Sequence, residues 1–168
     1  RSPSAQATII GLGDYIDRGS DSRAVIERAI ALRREFDAVF IRGNHEAIFE
    51  EFLSNPISVG ESWVSQGGFE CLVSFGVQVR WNARGDELVR ARSDLAARLT
   101  PDHLVFLQNL RLSHQIGDYF FAHAGARPGI ALDRQEARDL LWIRRGFSDR
   151  DEPFEKIVVH GHTPVQHP

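Results

Sequence analysis

The sequence predicts an α/β fold in which short strands end in glycine-containing loops that lead into helices. Three observations support this prediction: apolar runs of strand length at residues 7–12 and 36–41, a glycine within two residues of the end of each run, and a stretch with helical spacing between them. This order indicates a βαβ unit with parallel strands. Loops at the carboxyl ends of neighbouring parallel strands converge on one crevice, so we expect the functional residues there.

The helix between these strands is predicted from apolar residues that recur at helical spacing, namely Val25, Ile26, Ala29 and Ile30. Ser20 or Asp21 can cap its N-terminus, because short polar side chains accept hydrogen bonds from the first backbone N–H groups of a helix. Residues 47–53 predict a second, short helix that stops before Pro56.

A helical insert is predicted at about residues 57–109. The pattern there is helical but interrupted, with a break at Gly67 and Gly68. A further helix opens at Thr100 and Pro101, where proline suits the first turn. We expect this insert to pack beside the crevice and to influence which substrate is accepted.

A β-hairpin is predicted by residues 110–116 and 119–122, which flank a Gly-Asp pair typical of tight turns. A helical stretch follows and ends near Arg144, and residues 157–159 form the last predicted strand. The hairpin and the last strand both lead into histidine-containing loops.

Composition limits the classes of function. The chain has 168 residues, 42% of them hydrophobic, so residues 1–168 fit one domain. The net charge of the chain is −3, whereas nucleic-acid-binding domains are typically basic. The single cysteine, Cys71, excludes an internal disulfide and suits a reducing compartment. The apolar runs are far shorter than the roughly 20 residues that cross a bilayer. We therefore predict a cytoplasmic protein with no nucleic-acid or membrane partner.

Two polar clusters follow the first two strands, GDYIDRG at residues 13–19 and RGNHE at residues 42–46. They supply carboxylate and amide oxygens, an imidazole and two guanidinium groups, from Asp14, Asp17, Asn44, His45, Arg18 and Arg42. Carboxylates suit a metal ion and arginines suit phosphate oxygens. Together they indicate metal-assisted phosphoryl chemistry.

Residues that can bind a metal stand at four separate junctions between a strand and a loop, at Asp14, Asn44, His123 and His162. One aspartate after a strand is more often a helix cap, and one histidine is more often a structural residue. Four such junctions, each within two residues of a glycine, indicate a single site.

The motifs GDYIDRG, RGNHE, HAG and GHTP, in that order, resemble those of the calcineurin-like metallophosphoesterases. The resemblance is to the phosphoprotein-phosphatase branch, especially its bacterial and bacteriophage lambda type, and it covers most of the chain. It implies a sandwich of two mixed sheets flanked by helices. It also implies two divalent metal ions, Mn foremost with Fe or Zn as alternatives, bridged by Asp14. Asn44, His123 and His162 would complete the shell of the second ion.

The resemblance also implies the roles of the other site residues. A water activated by both ions would attack phosphorus, His45 would protonate the leaving group as general acid, and Asp17 would orient His45. Arg18, Arg42 and, in the segment DLLWIR, Arg144 would hold the phosphate oxygens.

The sequence favours structural roles for two residues close to the predicted site residues. Glu46 is expected to be a first-turn helix residue favoured by the helix dipole rather than a catalytic acid. His160 is expected to be a strand-end residue, because the lambda-type pattern matches only His162. Asp17 could instead pair with Arg18 or cap the following helix.

The chain departs from the family pattern at both ends. The family begins with a strand that ends in Asp-x-His, whose residues bind the first metal, and no Asp-x-His occurs in the 168 residues. The family also continues beyond GHTP. We therefore expect a truncated domain without its first and last strands, in which this polypeptide alone does not hold the first metal in the normal way. A sheet edge would then be exposed.

Three functions remain open from sequence. The foremost is a serine/threonine protein phosphatase acting on phosphoproteins or phosphopeptides. The second is hydrolysis of diadenosine tetraphosphate or another nucleotide by the same metal core. The third is a non-catalytic phosphate-binding remnant, because the Asp-x-His motif is absent. The active-site residues do not separate the first two, and the oligomeric state is not predicted.

Overall fold

The computed structural model describes residues 7–147 and 153–164, which form two small sheets surrounded by helices. The first part contains β1 (Ile9–Gly11), α1 (Ser22–Glu35), β2 (Ala38–Phe40) and α2 (Asn44–Ser54). The helical region contains α3 (Pro56–Trp63), a π-helical turn (Val64–Gly68), α4 (Phe69–Ser74), α5 (Asp86–Arg98) and α6 (Pro101–Gln108). The last part contains β3 (Ser113–Ile116), β4 (Tyr119–Ala122), a 3-10 turn (Leu132–Arg134), α7 (Ala137–Trp142) and β5 (Ile157–Val159).

The two sheets differ in strand direction. In the first, β1 and β2 are parallel, with Ile10 opposite Val39, which confirms the βαβ unit. A single parallel bridge from Ile41 to Arg111 extends it. In the second, β4 lies between antiparallel β3 and parallel β5. The second sheet is therefore mixed as predicted, whereas the first is parallel throughout the part of the chain that the structure describes.

Several predicted strands are shorter in the structure. The run at residues 36–41 begins as strand only at Ala38, because the N–H of Phe36 still donates to Leu32 O at the end of α1. The run at residues 110–116 begins only at Ser113, since Leu110 N–H donates back to Leu107 O at the end of α6. The predicted strands at residues 119–122 and 157–159 agree with β4 and β5.

Two helix predictions were wrong in detail. Helix α2 begins at Asn44 rather than at residue 47, so Asn44 and His45 lie in its first turn and not in a loop. The Asp21 side chain does not cap α1; its carboxylate accepts the Ser20 hydroxyl at 2.6 Å instead. The start of α6 is as predicted, with Pro101 in its first turn, and Thr100 Oγ1 caps it by accepting the backbone N–H of His103 at 3.3 Å.

The main core joins the helical region to α2. Phe49 and Phe52 of α2 are fully buried against Trp63, with ring centroids 5.8 Å and 4.5 Å from the indole. Close packing of this kind transmits displacement rather than absorbing it. The helix that starts with Asn44 and His45 is therefore positioned by the helical region.

No helix in the described ranges is both long and apolar enough to cross a lipid bilayer.

Candidate metal and phosphate site

The loops after β1 and β2 touch backbone to backbone, which explains the glycines in both motifs. A Cβ atom on Gly13 would lie 2.7 Å from Gly43 Cα. A Cβ on Gly43 would lie 2.7 Å from Glu46 Oε2 and closer still to Asp14. The Gly43 backbone is extended (φ −93°, ψ 172°), a conformation open to any residue, so glycine is required there for steric reasons alone. The structure thus brings the two polar clusters together.

Four side chains meet at this contact, one from each strand-to-loop junction. Asn44 Oδ1 lies 2.9 Å from His123 Nε2 and 2.8 Å from His162 Nδ1. His123 Nε2 lies 3.1 Å from His162 Nδ1 and 3.3 Å from Asp14 Oδ1. Ligands about 2.1 Å from one metal ion are separated from each other by about 3.0–3.4 Å, so these spacings match a common coordination shell.

The two histidines are held in the neutral form that binds metals. His123 donates its Nδ1–H to Leu12 O at 2.7 Å, which leaves the Nε2 lone pair facing the cluster. Burial lowers the pKa of His123. Burial, followed by the charges of His123 and Arg144, lowers the pKa of His162 to about 4. Both rings are therefore uncharged near neutral pH, which is the protonation state in which an imidazole ligates a cation.

The donor set fits one divalent transition-metal ion. It combines a carboxylate oxygen, an amide oxygen and two imidazole nitrogens, which suit Mn, Fe or Zn better than Ca. The ligand atoms of Asp14, His123 and His162 all lie within 4.8 Å of one another, and within residues 7–147 and 153–164 this is the one such group of His, Cys, Asp and Glu side chains.

A second pair, Asp17 and His45, lies next to the cluster. His45 Nδ1 is 2.6 Å from Asp17 Oδ2, and both residues are buried. The hydrogen bond that the His45 ring donates to Asp17 is the main reason that the pKa of His45 is raised, although burial opposes it. Because Nδ1 is occupied by Asp17, Nε2 is the ring nitrogen available to a molecule in the adjoining cavity.

The indole of Trp63 completes this pair from the helical region. Its Nε1–H donates to the same Asp17 oxygen at 2.8 Å, and the residue is 1% exposed. Sequence reasoning missed this contact, since residues 46 positions apart gave no signal of it. The carboxylate that orients His45 is therefore itself held by one further donor, the indole N–H of Trp63.

A cavity of about 350 Å³ opens over the cluster. Its lining contains most of the predicted site residues, namely Asp14, Arg18, Asn44, His45, Arg144 and His162, together with Gln66, Trp142 and Pro164. Arg144 reaches the cluster directly, with Nε 3.1 Å from His162 Nε2.

Arg42 is placed differently from its prediction as a phosphate-binding residue. It is not among the residues that line the cavity. Its guanidinium instead pairs with Glu50 of α2, the helix that begins two residues after Arg42. The physical reason is local: a carboxylate on the helix that follows lies within reach, and it pairs with the half-buried guanidinium.

The backbone is strained at the site. Asp14 (φ 56°), Asp17 (φ 72°), Arg18 (φ 60°) and His162 (φ 61°) are the non-glycine residues with left-handed φ in the described part of the chain. Each such residue costs on the order of 1 kcal/mol or more and persists only where the surroundings impose it. All four belong to the predicted site, which is typical of functional geometry.

Glu46 has a larger structural role than the sequence suggested. It lies in the first turn of α2 as expected, but it is fully buried and accepts three backbone N–H groups, from Gly43 at 2.8 Å, Asp14 at 3.0 Å and Tyr15 at 2.7 Å. Burial, reinforced by the charge of Asp14, raises its pKa to about 7. Glu46 thus ties the two site loops together. The sequence carried a signal for this role, because Glu46 stands three residues after Gly43, the residue that precedes α2, and a glutamate at that position commonly caps a helix.

His160 stays outside the cluster. It follows β5, its Nδ1 lies 3.1 Å from Gly161 O, and its ring packs edge-on against Phe147 with centroids 4.7 Å apart.

Comparison with known proteins gives two findings. The family model for calcineurin-like phosphoesterases matches residues 1–168. Bis(5'-nucleosyl)-tetraphosphatase PrpE (asymmetrical) of Anoxybacillus flavithermus is 25% identical over 175 residues, which cover 94% of this chain and 64% of that protein. The chain thus spans less than two thirds of the length of this relative.

Proposed function

This chain belongs to the calcineurin-like phosphoesterase family, and we propose that it contributes the catalytic site of a metal-dependent hydrolase of dinucleoside polyphosphates. The observation that carries the proposal is the meeting of Asp14, Asn44, His123 and His162 beside the Asp17–His45 pair. The family typically uses divalent metal ions. A relative with a tetraphosphatase name favours a nucleotide substrate over a phosphoprotein.

The cluster supplies the ligands for one cation, and Asp14 can also face a second. Its side chain is 31% exposed toward the cavity side of the cluster, whereas His123 is buried beneath it. The expectation that Asp14 also contacts a second ion comes from the family resemblance. Bound cations supply Lewis acidity, which polarises phosphoryl oxygens and makes water more acidic.

The protein's own side chains supply the remaining steps. Arg18 and Arg144 line the cavity and can offer guanidinium groups to the phosphate oxygens as negative charge develops. His45, held through Nδ1 by Asp17, can deliver a proton from Nε2 to the departing oxygen. Trp63 fixes Asp17, so the orientation of His45 does not depend on solvent.

Serine/threonine protein phosphatase activity is the second candidate. It is favoured by the motif set GDYIDRG, RGNHE, HAG and GHTP with DLLWIR, which resembles the lambda-type phosphatases. A phosphoprotein or phosphopeptide would then occupy the cavity.

A comparison of substrates tests the proposal. With Mn supplied, we expect diadenosine tetraphosphate to be hydrolysed with a kcat/KM at least about tenfold above that of a phosphoserine peptide, and Asp14→Ala to abolish both activities because it removes the shared ligand. The reverse preference would establish the protein-phosphatase alternative. Binding of phosphate without turnover of either substrate would identify a non-catalytic phosphate-binding module.

A further inference from the structure

A second pocket adjoins the catalytic cavity and shares two of its walls. It has a volume of about 400 Å³, and both cavities are lined by Arg18 and Gln66. The other lining residues are Val64, Ser65, Gly67, Phe69, Glu70 and Trp81. A molecule whose phosphates lie over the metal cluster can therefore extend past Arg18 into this pocket.

The shared wall is rigidly built. Arg18 N–H donates to Gly67 O at 3.0 Å, and Arg18 Nε lies 3.4 Å from Gln66 O. Gly67 has φ 121°, and a Cβ there would lie 2.7 Å from Arg18 N. The break in the helical region at Gly67 is thus what allows it to pack against the phosphate-site loop.

Trp81 is an exposed aromatic side chain on an anchored turn. The residue is 72% exposed. Its neighbour Arg80 donates its backbone N–H to Glu87 Oε1 at 2.9 Å and also pairs with Glu87 through its guanidinium, and Ala83 is buried. An aromatic face held in this way at the edge of a pocket is available for a planar ligand to stack on.

The chemistry of the pocket favours a neutral planar group. Trp81 and Phe69 offer aromatic surface, while Ser65 and Gln66 offer hydrogen-bond donors and acceptors. Apart from Arg18, the charged residue in the lining is Glu70, which repels phosphate but can accept N–H groups at a base edge. A further phosphate therefore fits poorly, and a nucleobase fits well.

We propose that the Trp81 pocket binds a nucleobase of the substrate by stacking on the indole while its phosphate chain passes Arg18 to the metal cluster. This inference rests on the proposed function for its substrate class. Stacking on an aromatic side chain tolerates any base, so the pocket selects for a nucleoside rather than for one particular base.

Equilibrium binding tests the pocket without relying on turnover. The probes are a non-hydrolysable methylene analogue of diadenosine tetraphosphate and base-free tripolyphosphate, each titrated calorimetrically with Mn present. We expect Trp81→Ala to weaken analogue binding about tenfold and to leave tripolyphosphate binding within about twofold. Trp81→Phe should retain most of the affinity, because it keeps an aromatic face. Phe36→Ala, at another exposed aromatic residue, should change neither value.

A fluorescence titration provides a second readout. Stacking of the analogue on Trp81 should quench part of the indole emission in a Trp142→Phe background, which removes the tryptophan that lines the catalytic cavity, and this change should disappear when Trp81→Phe is added. Equal weakening of both probes by Trp81→Ala, or no weakening of either, would overturn the pocket assignment. The assignment would also fall if Trp81→Ala affected only an arginine-containing phosphopeptide, since the pocket would then hold a peptide side chain.

The outcomes separate this inference from the proposed function. If the protein hydrolyses diadenosine tetraphosphate and Trp81→Ala does not affect this activity, the proposed function is supported and the nucleobase pocket is contradicted. If the protein does not hydrolyse the dinucleotide but Trp81→Ala selectively weakens binding of the analogue, the nucleobase pocket is supported and the proposed function is contradicted.

Discussion

At the scale of single residues, the site depends on which ring nitrogen of each histidine already has a hydrogen-bond partner. His123 uses Nδ1 for Leu12 O, and His45 uses Nδ1 for Asp17. Each ring therefore presents Nε2, one to the metal cluster and the other to the cavity. Two histidines of the same chemical type thus receive different roles from their hydrogen-bond partners.

The role of His45 as proton donor predicts a dependence on the leaving group. His45→Asn should lower kcat by roughly 10²–10⁴-fold for a phosphomonoester with an alkyl leaving group, which needs a proton as the bond breaks. The loss should be much smaller for p-nitrophenyl phosphate, whose leaving group departs as a stable anion. Steady-state kinetics on the two substrates measures the difference.

The control for this prediction is His114→Asn, because His114 is only partly buried and lies beside Arg111, outside the residues that line the cavity. It should leave both rates within about twofold. Equal losses on the two substrates in His45→Asn would mean that His45 supports the structure of the site and does not protonate the leaving group.

At the scale of elements, the contact between the two loops depends on Gly13 and Gly43, and Gly43 offers the simpler test because its backbone conformation is open to any residue. Gly43→Ala should displace the β1 loop, because the added Cβ would overlap Asp14 and Glu46. We expect unfolding free energy to fall by about 1–3 kcal/mol and Mn affinity to fall at least tenfold. Denaturant unfolding and calorimetry measure the two effects.

Gly19 offers a matched control within the first motif. A Cβ there would meet its nearest atom at 3.9 Å, so Gly19→Ala should preserve both stability and Mn affinity. If Gly19→Ala and Gly43→Ala behaved alike, the close approach of the two loops would not be what sets the cation site.

The sequence predicted the strand-end location of Asp14, Asn44, His123 and His162 because local pattern marks where a strand stops, and a sheet gathers such ends at one edge. It did not predict where Arg42 points, since the pairing with Glu50 depends on side-chain geometry along α2. Nor did it predict the Trp63 to Asp17 hydrogen bond, which depends on how the helical region folds back. Interactions between distant segments leave no periodic signal in sequence.

At the scale of the whole molecule, the cluster joins the two sheets. Asp14 and Asn44 follow β1 and β2 of the first sheet, whereas His123 and His162 follow β4 and β5 of the second. The cores are also separate, one around α1, α2 and the helical region and the other around Phe120 and Leu140. A cation bound by all four side chains therefore links the two sheets and their separate hydrophobic cores.

This linkage predicts that Mn stabilises the fold. A ligand that binds only the native state at 100 times its Kd adds about 2.7 kcal/mol to the free energy of unfolding. For a chain of 168 residues this corresponds to a rise in Tm of about 5–10 °C. Asn44→Ala should remove most of the rise, because the amide oxygen contacts both histidines. Asn82→Ala, at an exposed asparagine, should preserve it.

Differential scanning calorimetry with and without Mn, and after chelation, measures the shift. An unchanged Tm at millimolar Mn, in a protein whose Asn44→Ala variant melts identically, would show that the four side chains do not hold a cation together.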